Sequence, residues 1–325
     1  MHSSSILDRH GRVVDYLRVS VTDLCNFRCF YCMPPSGIRR LAHDEVLRFE
    51  EVRRVAGVAA SLGVTTLRLT GGEPLVRRGI VDLVAMLSQV DGIDRLAMTT
   101  NASRLAEMSS ELRSAGLDRV NVSIDTLKRD KFEQITCGGS LRDVLKGVEK
   151  ALDNGFDQVK LNVVAMKGVN DTEFVELALM ARRYPVDVRF IEYMPTEHGV
   201  DVEPWRFVPV SAIRSELERA LGLEPFDGER GAGPARMFQI EQGLGCIGFI
   251  ASVSEPFCAK CNRLRLSAEG RLIACLYDGG EVDVKAALRD GSSDERLAAL
   301  FMEVANMKPL VRSGTTAALV RELGG

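Results

Sequence analysis

Three cysteines, Cys25, Cys29 and Cys32, stand in the stretch DLCNFRCFYCMP with the spacing C-x3-C-x2-C. One short loop therefore offers three thiolates. A cubane of four irons and four sulfurs takes four ligands, ordinarily four cysteines. A loop that supplies three leaves one iron open to a molecule that is not protein. A closed structural zinc site would want a fourth protein ligand, and the nearest histidine downstream is His43. An iron–sulfur cluster with one open iron is the reading that this spacing favours.

The fold has to carry that loop on something large. At 325 residues the chain suits an α/β domain with an appendage. Tyr16 to Thr22 alternates as a strand, the cysteine loop follows, and residues 48–62 have helical spacing. Residues 64–70 then read as a strand running into Gly71-Gly72-Glu73-Pro74. Helical segments near 79–90, 103–115, 141–154 and 171–183 alternate with apolar strands near 94–100, 119–124, 158–164 and 186–193. Repeated βαβ units imply a parallel sheet, and six countable strands fall short of the eight of a closed barrel. A partial, open (β/α)6 barrel and a doubly wound sheet are the candidates.

One detail of the strands favours the partial barrel, although polar residues at strand ends could arise without a lumen. A parallel sheet covered on both faces should have almost wholly apolar strands. Here polar residues recur at alternate positions: Arg18, Arg68 with Thr70, Thr99 with Asn101, Asn121 with Ser123 and Asp125, Lys160 with Asn162, and Arg189. Period-two alternation puts each set on one face. A polar face shared by six strands makes sense as the lining of a lumen that holds a polar ligand.

After Pro195 the rhythm stops: 210–221 reads as a helix, 225–236 is rich in Gly, Pro and charge, and 237–282 reads as a small cysteine-bearing module. The expected domains are 1–209 for the barrel and 210–325 for a C-terminal extension. The module holds Cys258, Cys261 and Cys275, spaced C-x2-C-x13-C. With Cys246 these could form a zinc ribbon. Cys246, however, sits in an apolar stretch, GCIGF, where a free cysteine packs well, and three ligands would again leave an iron open. Cys137 reads as incidental. A net charge of −3 argues against a nucleic-acid or membrane-surface binder. No apolar run approaches the roughly 20 residues of a membrane span, and the first residues lack the build of a secretory signal. A cytoplasmic location is expected.

The pattern C-x3-C-x-Tyr-C with a downstream GGEP resembles the radical S-adenosylmethionine (SAM) superfamily. Within it, RLTGGEPLVR, MTTN, VSIDTL, FIEYMP, SEPFCAKCNRLRLSAEGRLIACLY and the terminal Gly-Gly closely resemble the GTP 3′,8-cyclase family over essentially the whole chain. The resemblance implies two [4Fe–4S] clusters, on Cys25/Cys29/Cys32 and on Cys258/Cys261/Cys275. SAM would chelate the open iron of the first, with contacts from Tyr31, Gly72, Ser123 and Met194, and with Gly71 and Glu73 beside its amino group. GTP would bind the second through its base, with Arg18, Arg68, Thr99, Lys160, Arg189, Arg263, Leu264 and Arg265 around it. An adenosyl radical would take hydrogen from ribose C3′, and the carbon radical would attack guanine C8. Arg265 and a tail ending in Gly324-Gly325 would take part in catalysis. Partners implied are an external electron donor, a cyclic pyranopterin monophosphate synthase receiving the product, and a second copy in a homodimer. Thr66 stands where relatives often carry lysine, and Ile135-Thr136-Cys137-Gly138 departs from an ITGR-like stretch. A radical SAM enzyme with an auxiliary cluster and another substrate is the alternative reading, and a non-enzymatic zinc module is a second.

Overall fold

The computed structural model describes residues 5–33, 40–194, 204–226, 228 and 233–313. Its first two-thirds run β1 (Tyr16–Ser20), α1 (Phe49–Ser61), β2 (Thr66–Thr70), α2 (Ile80–Ser88), β3 (Arg95–Thr100), α3 (Leu105–Ser114), β4 (Arg119–Ser123), α4 (Arg129–Thr136), α5 (Leu141–Asp153), β5 (Gln158–Ala165), α6 (Phe174–Arg183) and β6 (Val186–Glu192). These six strands are parallel neighbours in chain order. The sheet does not close on itself, and the fold is a partial (β/α)6 barrel. Helix α4 escapes the sequence pattern; it is a short helix directly preceding α5.

The remaining elements are α7 (Val210–Leu221), β7 (Leu223–Pro225), β8 (Arg236–Ile240), β9 (Cys246–Ile250), β10 (Arg263–Leu266), β11 (Arg271–Cys275), β12 (Gly279–Asp283), α8 (Val284–Arg289) and α9 (Asp294–Asn306). They do not form the separate cysteine module expected over 237–282. β9 pairs parallel to β6 and β10 pairs parallel to β1, so the segment divides between the two flanks of the barrel sheet. Antiparallel strands β8–β7 and β11–β12 continue each flank, giving twelve strands among the described residues. Each barrel edge is thus covered, which removes the unpaired N–H and C=O rows that an open sheet would expose.

Alternation along the strands explains both the core and the cavity. Leu17 and Val19, Leu67 and Leu69, Leu96 and Met98, Val120 and Val122, Val159 and Leu161, Val188 and Phe190 are all buried in one hydrophobic core. Their alternates are polar. α5 shows the matching helical face: Leu141, Val144, Val148 and Ala151 are buried at three- and four-residue spacing. Its N-cap Ser140 accepts from the Asp143 N–H.

Candidate active site

Strand register sets the polar alternates side by side. Arg265, Arg18 and Arg68 are successive cross-strand partners on β10, β1 and β2. Thr99, Asn121 and Lys160 form a second row on β3, β4 and β5, and Asn162 faces Arg189 across β5 and β6. All of these residues line one cavity, together with Met194, Cys258, Cys261 and Cys275. A Cβ at Gly248, the β9 partner of Arg189, would stand 2.9 Å from Arg189 Cγ, so the guanidinium keeps its place because position 248 has none.

The cavity is a site for a polyanion. Nine arginines and two lysines line it, and none of its described lining residues is Asp or Glu. Burial lowers Lys160 to about 6, helped by Arg189 and Arg68. Burial likewise brings Arg189 and Arg265 to about 10, with Arg68 and Arg263 respectively adding repulsion, and it holds Arg18 well below the usual arginine range. The buried Nε atoms of Arg119 and Arg265 and the buried Oδ1 of Asn121 find no partner among the described residues. Buried polar groups are nearly always paired, so these atoms await a ligand that accepts from them and donates to them.

Cys258, Cys261 and Cys275 are half-buried free thiols in the wall of this cavity. Burial would raise the Cys261 thiol, but Arg263, Lys308, a backbone N–H and Arg265 outweigh it and bring it down to about 6. A thiolate is the form that binds iron. Cys246 lies at the start of β9 and is not among the lining residues, which removes the fourth ligand of a zinc ribbon. Among the described residues no three His, Cys, Asp or Glu side chains could hold a single metal ion. The cysteines of a four-iron cluster each take a separate iron.

The first triplet sits past the carboxyl end of β1, where barrel active sites are built. Backbone bonds from Arg28 and Phe30 to Thr136 and Ile135 anchor the loop to the end of α4. The divergent Ile135–Gly138 stretch is therefore its support. Tyr31 donates from its hydroxyl to Asp125 Oδ2 at 2.7 Å, and Asp125 Oδ1 accepts from the Val164 N–H. The Gly72 and Glu73 N–H groups donate to Thr22 and Leu24 O. A Cβ at Gly72 would fall 2.2 Å from Leu24 O, so the glycine is needed for contact with the cysteine loop itself. Burial pushes the Glu73 carboxyl up to about 7. It accepts from Leu75 N, Thr100 Oγ1 and Asn101 N, clamping the loop after β2 to the one after β3.

Ser123 ends β4 beside Asn162 and outside the cavity lining. Leu264, expected near the substrate, faces the other way: it is 1% exposed and belongs to the hydrophobic core, because its neighbours Arg263 and Arg265 take the lumen side of β10. Gly324 and Gly325 lie outside the described residues. Arg12, Arg95, Arg119, Tyr277, Arg312 and Lys308 line the cavity although nothing in the motifs singles them out. Arg95 and Arg119 precede Thr99 and Asn121 by even steps, so the same alternation contains them. Arg95 is the cross-strand partner of Thr66 and restores a cation beside that position.

One buried carboxylate ties the flanks together. Glu192, fully buried at the end of β6, accepts from Val210 N, Val253 N, Ser254 N and Ser254 Oγ. It thus holds the chain that leads to Cys258. Glu192→Gln puts an amide against those donors and is expected to cost about 2 kcal/mol of stability, read by urea denaturation, with reduced iron at the second triplet.

Residues 19–181 match the radical SAM superfamily, and residues 186–313 match Molybdenum Cofactor Synthesis C. The GTP 3′,8-cyclase of Pelotomaculum thermopropionicum is 46% identical over 303 residues, covering 93% of each chain. This chain belongs to the GTP 3′,8-cyclase family. The family's enzyme from Heliobacterium modesticaldum is also 46% identical, over 94% of this chain and 93% of its own. Among solved structures, SuiB of Streptococcus suis bound to S-adenosylmethionine superposes with a TM-score of 0.66 at 13% identity, over 90% of this chain and 69% of that one. That likeness carries the fold alone.

Proposed function

We propose that this chain cyclises GTP to (8S)-3′,8-cyclo-7,8-dihydroguanosine 5′-triphosphate, a lyase reaction that opens molybdenum cofactor biosynthesis. The observation that carries the reading is the cavity whose wall joins a cysteine triplet to a lining of cations, with no carboxylate among the described lining residues. The cofactors are two [4Fe–4S] clusters and SAM. When bound, the first cluster supplies the electron that cleaves SAM to a 5′-deoxyadenosyl radical.

The chain's own residues bind and orient. Cys25, Cys29 and Cys32 would hold the first cluster, and Cys258, Cys261 and Cys275 the second. Tyr31, held by Asp125, and Gly72, Ser123 and Met194 are the SAM contacts; Tyr277 donates to Met194 Sδ at 2.7 Å and fixes that side chain. Arg18, Arg68, Lys160, Arg189, Arg263 and Arg265 receive the triphosphate, the arginines through paired N–H donors. Thr99 accepts from Arg68 and sets its angle. The apolar core face of β1 to β6 closes the lumen from behind. Catalysis draws on Arg265 and on the Gly324-Gly325 tail.

No described helix is long and apolar enough to cross a membrane, and the reading places the chain in the cytoplasm as a homodimer. It takes electrons from an external donor and passes its product to a cyclic pyranopterin monophosphate synthase. Anaerobic incubation with SAM, GTP and dithionite, followed by mass analysis, is expected to give 5′-deoxyadenosine and the cyclised nucleotide. Deoxyadenosine with GTP left intact would point to another substrate and sink the reading.

A further inference from the structure

One buried cation beside the second cysteine set has no part in the chemistry described so far. Lys308 follows α9 and is 2% exposed. Its ammonium donates to Arg263 O on β10 at 2.7 Å, to Ala274 O on β11 at 3.5 Å and to Cys261 Sγ at 3.4 Å. An ammonium has three protons, and three acceptors receive them. Burying a charged lysine is costly without a negative partner. The described cavity lining offers no carboxylate, and the only one of the three acceptors able to carry a full charge is the Cys261 sulfur.

The neighbouring residue extends the same grip. Arg12 donates to Pro309 O at 2.9 Å and also to Cys258 O. The two-residue segment Lys308-Pro309 therefore reaches Cys258 through Arg12, Cys261 directly, and Cys275 through the carbonyl of its neighbour Ala274. A segment distant in sequence from all three cysteines is bonded around each of them.

We propose that Lys308 is a positioning residue for the second cluster, fixing the gap between Cys261 and Cys275 and tuning the cluster's reduction potential through an N–H···S hydrogen bond. The inference rests on the second-cluster reading. Hydrogen bonds to cluster sulfurs are among the terms that set reduction potential. A cationic donor favours the reduced, more negative cluster, so Lys308 raises the potential.

The test uses full-length, iron-loaded protein carrying Cys25→Ala, Cys29→Ala and Cys32→Ala, so that only the second cluster reports. In this background Lys308→Met is expected to shift the cluster's midpoint potential downward and alter its electron paramagnetic resonance spectrum. Lys308→Arg, which keeps the charge and the donors, is expected to return both towards the parent. Where the methionine variant retains no iron and the arginine variant does, iron content supports the proposal in place of the potential. A methionine variant with the parent's potential and spectrum, or an arginine variant as impaired as the methionine one, overturns the proposal. A parent that itself shows no four-iron signal refutes the second-cluster reading instead.

Discussion

Replacing Cys261 with alanine leaves reductive cleavage of SAM intact and lowers cyclised product by at least about a hundredfold, an effect on the scale of losing a metal-site ligand or its support. The two triplets occupy different parts of the fold. Cys25, Cys29 and Cys32 lie on the loop after β1, bonded to α4 and to the turn after β2, whereas Cys258, Cys261 and Cys275 lie just before β10 and at the end of β11. Cys261 lies just before β10 and its thiolate neutralises Lys308 and Arg263. Its loss therefore removes one cluster ligand and leaves buried Lys308 and half-buried Arg263 facing a cavity already crowded with positive charge. Iron is expected to fall from about eight to about four per chain, since each cubane holds four. Three measurements on the same preparation decide it: iron content, 5′-deoxyadenosine and cyclised nucleotide. Undiminished cyclisation in Cys261→Ala would refute the assignment, and loss of deoxyadenosine as well would show that the two triplets are not independent.

What can be read from the chain itself follows from which interactions are local. The βα rhythm is legible because helix and strand periods are written in consecutive residues, and the observed bounds of α5, Leu141–Asp153, depart from the expected 141–154 by one residue. The lumen is legible for the same reason: Arg68 with Thr70, Asn121 with Ser123 and Lys160 with Asn162 each share one face of their own strand by parity, before any partner is known. Arg95 and Arg119 obey that parity but open their strands, where polar residues are common and carry little signal. Lys308 cannot be found this way. It follows a helix, and its acceptors come from residues Arg263, Ala274 and Cys261, more than thirty positions away. Glu73 and Glu192 have the same character: a buried carboxylate looks in sequence like a surface one until its donors are known. The split of 237–282 between two sheet edges is hidden too. Strand pairing is a long-range choice, and only the open edges at β1 and β6 make it.

Lys160→Met is expected to weaken GTP binding roughly 30- to 100-fold, the loss of a charge-assisted contact of about 2–3 kcal/mol, and to abolish a proton uptake that accompanies binding in the parent. The lysine is buried among Arg189 and Arg68, and burial first, then these cations, hold it at about 6 in the free protein against an ordinary 10.5. Between those values the unfolded chain binds more protons than the folded one at this site. The free protein's stability therefore rises with pH from about 6 to about 10.5. A triphosphate reverses the local field. Its negative charge favours the ammonium, so at pH 8 the neutral amine takes up close to one proton as GTP binds. Affinity must then decline as pH climbs above about 6, because the proton becomes harder to supply. Calorimetry at pH 8 in HEPES and in Tris separates the cases, since the two buffers release protons with different heats and neither is a multivalent anion. In the parent the apparent enthalpies differ by nearly one proton's worth. In Lys160→Met they coincide while affinity drops. Lys160→Arg also binds without proton uptake, because its guanidinium stays charged throughout, but it retains most of the affinity. Buffer-independent enthalpy in the parent would mean that Lys160 is already charged in the free cavity, and the account of the lumen as a site strained by its own cations would fail with it.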